Sequence, residues 1–271
     1  MPKSLRPDRR SDAGQQKGGA AQSPFDDIES STALRWARGL LILIIGITYW
    51  PLLTADFTNW DDQATLVHNH WLNPPRLEYF ADFWNPRHPF MDIWTPMTYT
   101  VWSAVAKLAY VPTPDPETHA TLNPWDFHGA NLLVHVFSTL LVFEIVRRLV
   151  GKIWPAAAAA VLFAVHPVQV EPVGWLSGMK DLLCGCFGLL AVHQYLAFAS
   201  SVEKSPRRWH YIAASAAALA AMLAKPSGVV VPLVVGVIDL AFLQRPIKSV
   251  ARAMFPWLVL AALFVLEGRF A

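Results

Sequence analysis

The chain has 271 residues, of which 54% are hydrophobic and only 15% are charged, and its mean hydropathy is positive. Soluble domains carry about a quarter charged residues, so this composition excludes an ordinary water-soluble domain. The net charge of +2 is small, and we expect no nucleic-acid partner. The apolar residues occur in separated runs, which predicts an all-α, polytopic membrane helical bundle in contact with lipid.

Residues 1–32 differ from the rest of the chain. They are polar, rich in Gly, Gln, Ser and Arg, and without apolar periodicity, so we expect a disordered cytoplasmic tail. The first apolar run begins too far into the chain for a signal peptide, and no small-residue cleavage pattern follows it. Residues 33–271 are therefore predicted to form a transmembrane module whose first run remains as an anchor.

A membrane span needs about 20 mostly apolar residues. Seven runs approach this length: Ala33–Leu53, His128–Val146, Ile153–Val168, Leu182–Ala199, Tyr211–Leu223, Gly228–Leu243 and Phe255–Leu266. An eighth stretch, Trp94–Val111, contains Lys107, Pro96 and several hydroxyl side chains, which favours an amphipathic helix at the surface over a span.

Basic residues occur in every second connection between these runs. Lys and Arg in short loops are retained in the cytoplasm, so the pattern predicts seven spans with a cytoplasmic N-terminus in a bacterial inner membrane. An eighth span would break the alternation. The long segment 54–127 then lies outside the cytoplasm. The basic residues concerned are Arg6, Arg9, Arg10, Arg35, Arg38, Arg147, Arg148, Lys152, Lys204, Arg207, Arg208, Arg245, Lys248 and Arg252.

Two adjacent carboxylates, Asp61 and Asp62, follow the first span in the stretch DFTNWDDQATLVHNHW. Such a pair near the membrane surface can deprotonate a hydroxyl group, or bind a hard divalent cation through oxygen. A solvated acidic turn that caps a helix is the structural alternative, and the pair alone does not separate the two.

The stretches HPVQVEPVGWLSGMKD (166–181) and LAKPSG (223–228) form the two short outer connections. His166, Glu171, Lys180 and Lys225 lie there near the membrane boundary, where ionisable groups are costly unless they face a cavity or one another. Lysines at a lipid-facing cleft are suited to bind phosphate. The alternative is a set of snorkelling lysines with a Lys180–Glu171 pair that joins two helices.

A polar stripe is formed by His128, Asn131 and His135 in FHGANLLVHVF, at helical spacings i, i+3 and i+7. These residues could line a cavity or supply metal ligands, but hydrogen bonds between packed membrane helices are the more common use of such a stripe. The identity of any metal is unknown. The two cysteines, Cys184 and Cys186, lie in an apolar run and are interpreted as packing residues.

The order of the motifs WDD, DFW, WTPMTYTVW, FHGANLLVH, FAVHPVQVEPVGWLSGMKDLL, LAKPSGVVVPL and IDL resembles the N-terminal membrane half of the transmembrane, TPR-containing O-mannosyltransferase family and its bacterial relatives. That family belongs to the GT-C superfamily of glycosyltransferases, and the resemblance covers about residues 55–240. It implies a GT-C-like fold, a polyprenyl-phosphate sugar as donor, and a hydroxyl group of an exported protein or glycan as acceptor.

The resemblance also implies roles for the residues. It makes Asp61 or Asp62 the base that activates the acceptor hydroxyl at the outer face of the inner membrane. It makes His166, Lys180 and Lys225 the groups that bind the leaving lipid phosphate, with Glu171 orienting one of them. A divalent cation is possible, and no other cofactor is expected.

Two departures from the family pattern keep a second interpretation open. The chain has GMKD where relatives usually have ERKD, and it contains no TPR repeats within its 271 residues. It is then either an inverting sugar transferase or a non-catalytic membrane partner of a glycosylation complex, with a possible C-terminal partner subunit. A transporter is disfavoured because the ionisable residues cluster at one face instead of at the midplane.

Overall fold

The computed structural model describes residues 24–116, 120–201 and 203–267. Most of the expected tail, residues 1–23, lies outside the described residues, and the first helix begins at Pro24, inside the predicted tail. The α-helices in chain order are α1 (Pro24–Tyr49), α2 (Phe80–Phe83), α3 (Pro96–Leu108), α4 (Pro124–Val150), α5 (Ile153–Ala164), α6 (Val170–Gly174), α7 (Met179–Ser200), α8 (Lys204–Ala224), α9 (Val231–Ile238) and α10 (Ile247–Glu267).

Short 3₁₀ or π turns join or extend several of these helices, including Trp50–Thr54, Gln63–Val67, Leu176–Gly178, Pro226–Val230 and Asp239–Leu243. Within the described ranges, extended pairing is limited to one isolated bridge between Tyr110 and Leu122. The prediction of an all-α, polytopic membrane bundle is therefore confirmed.

Within the described residues, five segments are long and apolar enough to cross a membrane: Ser31–Thr54, Pro124–Val150, Leu176–Ser200, Pro226–Leu243 and Ile247–Leu266. A sixth is possible if Ile153–Ala164 and Pro167–Gly174, which meet at a bend of 52°, form one broken span. We predicted about seven. Counting the broken span as one, the predicted span that is missing is the run Tyr211–Leu223 in α8. The first turns of this helix carry Arg207 and Arg208, so its mean hydropathy is too low for a membrane span. Helix α3, with 13 residues, is also absent from these candidates, as expected.

Small residues set the packing between the helices. Ala156, Ala157 and Ala160 of α5 are buried against Ala37 and Leu41 of α1. Without a cohesive solvent, membrane helices associate through close van der Waals packing, which small side chains permit. Large apolar side chains such as Leu43, Leu133, Leu162 and Phe255 instead remain exposed on the outside of the bundle, as expected for a surface that faces lipid.

The segment between α1 and α4 folds onto one end of the bundle. Its core is a cluster of aromatic rings in which Trp71 packs against Phe83, Phe90 and Tyr99. Thr98 Oγ1 of α3 donates a hydrogen bond to the Ala224 carbonyl at the end of α8, at 2.9 Å. This segment, which we call the outer segment, is thereby held over the ends of the helices.

The opposite end of the bundle is basic. Glu144 of α4 forms salt bridges with Arg38 of α1 at 3.5 Å, with Arg148 at 3.4 Å and with Arg147 at 2.5 Å. The ends of α7 lie about 33 Å apart, from its 22 residues at 1.5 Å each. The outer segment and this basic end are thus separated by about the thickness of a bilayer core.

Candidate functional site

Asp62 is completely buried and fully engaged in hydrogen bonds. Its Oδ1 accepts from the Ser177 backbone N at 2.8 Å and from Ser177 Oγ at 2.6 Å. Its Oδ2 accepts from the Thr58 backbone N at 3.0 Å and from Thr58 Oγ1 at 2.8 Å. These four hydrogen bonds join the outer segment to the turn Leu176–Gly178 that precedes α7.

Asp61 points to a different environment. Its side chain is 39% exposed, and its Oδ2 lies 4.0 Å from Nζ of Lys180, whose side chain is 25% exposed. The Asp61 backbone is fixed, because Thr65 Oγ1 lies 2.7 Å both from the Asp61 carbonyl and from Ser177 Oγ. The structure thus brings one aspartate of the pair to a predicted lysine and leaves its carboxylate accessible.

Lys180 and Lys225 line the same cavity, which has a volume of about 440 Å³. Asp92 and Trp94 from the outer segment line its other side, and Trp94 stacks on Phe264 of α10 with ring centroids 5.9 Å apart. Lys225 is paired with Asp181, one turn into α7. Both predicted lysines therefore face one space between the outer segment and the membrane helices.

The position of Lys225 depends on a close approach of two backbone segments. A Cβ atom on Gly228 would lie 2.5 Å from the Ala221 carbonyl carbon and 2.6 Å from its oxygen, well inside any normal contact. Only glycine allows the turn after Lys225 to return against α8 in this way. Gly228 is therefore required for the geometry of this cavity wall.

An apolar groove of about 460 Å³ adjoins the cavity along α7 and α9. Ser227 lines both spaces, and Asp181 lines the groove at the same end. Gly185 and Gly188 of α7 leave room in the groove opposite Val231 and Val234. The lysine-lined cavity thus adjoins a groove whose lining is mainly apolar.

The third predicted phosphate ligand, His166, and Glu171, which was expected to orient one of the ligands, lie elsewhere. His166 accepts a hydrogen bond from the Val168 backbone N at 3.2 Å and lines a shallow pocket with Leu162 and Phe163. Glu171 is exposed, and the described residues place no Lys, Arg or His nitrogen within 4.0 Å of its carboxylate. Lys180 is paired with Asp61, so the structure does not contain the Lys180–Glu171 pair that the sequence left open.

The polar stripe of α4 is buried but does not form one cavity. Asn131 Nδ2 donates to the Val173 and Trp175 carbonyls at 3.2 and 2.9 Å, and His135 Nε2 lies 3.0 Å from the Ala164 carbonyl. His135 also lines the apolar groove. For His128 neither ring nitrogen has a hydrogen-bond partner among the residues that the structure describes. The stripe mainly joins α4 to the broken segment of α5 and α6.

In the part of the chain that the structure describes, no group of three or more His, Cys, Asp or Glu side chains is arranged to hold a metal ion. The divalent cation inferred from the acidic pair stays a prediction. Sequence reasoning did not select Ser177, although it lies inside the quoted block GWLSGMKD, directly before Gly178. It also missed Trp94 and Phe264, because their stacking joins distant parts of the chain.

The fold and this site together define a class: an all-helical, multi-pass membrane protein with an acidic and a lysine-bearing site at one end of its bundle. Comparison with known proteins narrows the class. The chain is 34% identical over 204 residues to protein O-mannosyl-transferase Tmtc2 of Drosophila melanogaster, covering 71% of the chain. It is 34% identical over 208 residues to Xenopus laevis tmtc2 and 33% identical over 219 residues to human TMTC4, covering 75% and 72% of the chain.

Over this stretch the chain is homologous to members of the protein O-mannosyl-transferase family, as the motifs predicted. The matched part spans only 20% of the fly protein, 23% of the frog protein and 28% of the human protein. No family model and no solved structure matches the chain.

Proposed function

We propose that this chain forms the donor-binding and base-bearing part of a GT-C type glycosyltransferase. The enzyme moves a sugar from a polyprenyl-phosphate donor to a hydroxyl group of an exported protein or glycan. The reaction takes place at the outer face of a bacterial inner membrane, with the chain's N-terminus in the cytoplasm. The observation that carries the proposal is the 4.0 Å separation between Asp61 Oδ2 and Nζ of Lys180, a lysine that lines one cavity together with Lys225.

Asp61 is the base in this proposal. In an inverting transfer the acceptor oxygen forms a bond to the anomeric carbon while the bond from that carbon to the phosphate oxygen breaks. The acceptor proton passes to Asp61, whose carboxylate is accessible, whereas the lone pairs of Asp62 are already used by Thr58 and Ser177.

The lysines stabilise the leaving group. The bond electrons leave with the lipid phosphate, whose negative charge increases in the transition state and needs fixed cations nearby. Lys180 and Lys225 supply two ammonium groups on one wall of the cavity. Asp181 holds Lys225 in place, so that its charge is oriented before the donor binds.

The groove accounts for the lipid part of the donor. A prenyl chain requires an apolar path that starts next to the phosphate and runs toward the bilayer. The groove along α7 and α9 begins at Asp181 and Ser227, beside Lys225, and is lined deeper in by Val192, Val231 and Val234. Phosphate and prenyl chain could therefore bind to adjoining spaces of one module.

The proposal is tested with the purified chain in lipid vesicles, supplied with a panel of prenyl-phosphate sugars and hydroxyl acceptors. We expect Asp61→Asn to lower turnover by about 100-fold or more, because general-base catalysis contributes at least that factor. Asp82→Asn is the matched control, since Asp82 is an exposed carboxylate of the outer segment that, unlike Asp61, forms no ion pair with Lys180 or Lys225 among the described residues.

Wild-type turnover in Asp61→Asn would contradict the role of Asp61. If the wild-type chain binds donor without turning it over in any combination, the non-catalytic partner becomes the better interpretation. Binding of the donor is read separately, by protection of Lys180 and Lys225 from an amine-reactive label.

A further inference from the structure

A second charged cavity lies at the basic end of the bundle, opposite the lysine site. Its volume is about 470 Å³, and four arginines from three parts of the chain line it: Arg207 and Arg208 of α8, Arg245 after α9, and Arg252 of α10. Tyr211 and Ser249 add hydroxyl groups. The proposed transferase chemistry uses none of these residues.

Two of the guanidinium groups are held in position. Arg245 donates to Oδ2 of the buried Asp239 at 3.1 Å and to the Tyr195 hydroxyl at 3.2 Å. Arg207 and Arg245 both lie over the ring of Phe198, 4.9 and 5.5 Å from its centroid. Cation–π contacts and a buried carboxylate restrict these side chains, so the charges converge on the cavity without a ligand.

The positive charge of the cavity exceeds its negative charge. Among the residues that the structure describes, Asp239 is the only carboxylate within 4.0 Å of the four guanidinium groups. Helices α8 and α10 both begin at this end and are joined there by a hydrogen bond from Tyr211 Oη to the Ala253 carbonyl at 2.7 Å. Each helix N-terminus adds a partial positive charge. Such an excess of positive charge is suited to an anionic ligand.

We propose that this cavity binds the phosphate group of an anionic lipid headgroup. Guanidinium groups bind phosphate oxygens through paired hydrogen bonds, and anionic lipids attract basic residues at the membrane surface. Exposed apolar side chains flank the cavity in sequence: Trp209 is 68% exposed, Phe242 65% and Ile247 62%. An indole and two exposed apolar side chains close in sequence to the pocket residues indicate a position at the level of the headgroups, which favours a lipid over a soluble phosphate.

The test compares the full chain with Arg207→Gln/Arg208→Gln in neutral detergent, by native mass spectrometry with added phosphatidylglycerol, phosphatidylcholine or inorganic pyrophosphate. We expect the wild-type chain to retain phosphatidylglycerol in preference to phosphatidylcholine. The double variant should bind phosphatidylglycerol at least about tenfold more weakly. Arg35→Gln/Lys152→Gln is the control, because it removes two exposed charges that lie outside this cavity.

Loss of retention in the cavity variant alone supports the proposal. Both substitutions remove positive charge from the first turns of α8, which does not weaken a helix N-terminus, and equal thermal unfolding of the two variants verifies that folding is intact. Arginine-dependent binding of pyrophosphate without lipid retention assigns the phosphate site to a soluble ligand instead. Equal lipid retention by both variants, or none by the wild-type chain together with no pyrophosphate binding, overturns the proposal.

Discussion

Asp61 is partly exposed and its neighbour Asp62 is buried, so we expect the same substitution to change protein stability differently at the two positions. Asp62→Asn should lower the free energy of unfolding by about 1–3 kcal/mol, because the amide cannot accept all four hydrogen bonds from Thr58 and Ser177. Asp61→Asn should leave unfolding nearly unchanged, since exposed ion pairs contribute little. Thermal unfolding of the two variants in the same detergent measures both effects, and an equal loss of stability would contradict the assignment.

The pair itself could be predicted from the sequence, but the roles within the pair could not. Composition and position indicate an acidic site after the first span, whereas the donors to Asp62 include Ser177, which is 115 residues away along the chain. Only the fold shows which carboxylate is used as an internal hydrogen-bond acceptor. Similarly, the sequence left open a pair between Lys180 and Glu171, but the Glu171 side chain is exposed and Lys180 lies beside Asp61 instead.

At the scale of elements, the turn between α8 and α9 positions Lys225. Gly228→Ala should lower the free energy of unfolding by about 1–3 kcal/mol, because the added methyl group would overlap the backbone of Ala221. Gly129→Ala in α4 is the matched control, since no atom lies within 4 Å of its Cβ position. Chemical unfolding in detergent micelles tests the pair, and a tolerated Gly228→Ala would show that the turn can relax.

Most elements could be predicted from apolar runs, but their number as membrane spans could not. The run Tyr211–Leu223 is apolar, yet the helix that contains it starts at Lys204 and includes Arg207 and Arg208. The run Ile153–Val168 is interrupted by a bend at residues 165–166, which a count of apolar residues does not detect. Helix ends and bends depend on tertiary contacts, such as the hydrogen bond from Tyr49 Oη to the Ala164 carbonyl at 2.9 Å.

For the whole molecule, the separation of the lysine site from the basic end predicts a topology. In a chain whose native cysteines are replaced by alanine, Asp82→Cys should react with a membrane-impermeant maleimide in right-side-out vesicles, and Lys152→Cys only in inverted ones. Both side chains are exposed, so access depends on the side of the membrane alone. Labelling of both sites from one side would contradict the bundle's orientation and the proposed outer location of the sugar transfer.

The stacked pair of Trp94 and Phe264 has a consequence for biosynthesis. One ring belongs to a segment that leaves the ribosome early, and the other to the last helix described. The cavity that both rings help to close can therefore be completed only after α10 has entered the bilayer. A nascent chain stalled before that helix would expose its ammonium groups to solvent without an enclosing wall, and so would not hold an anionic ligand prematurely.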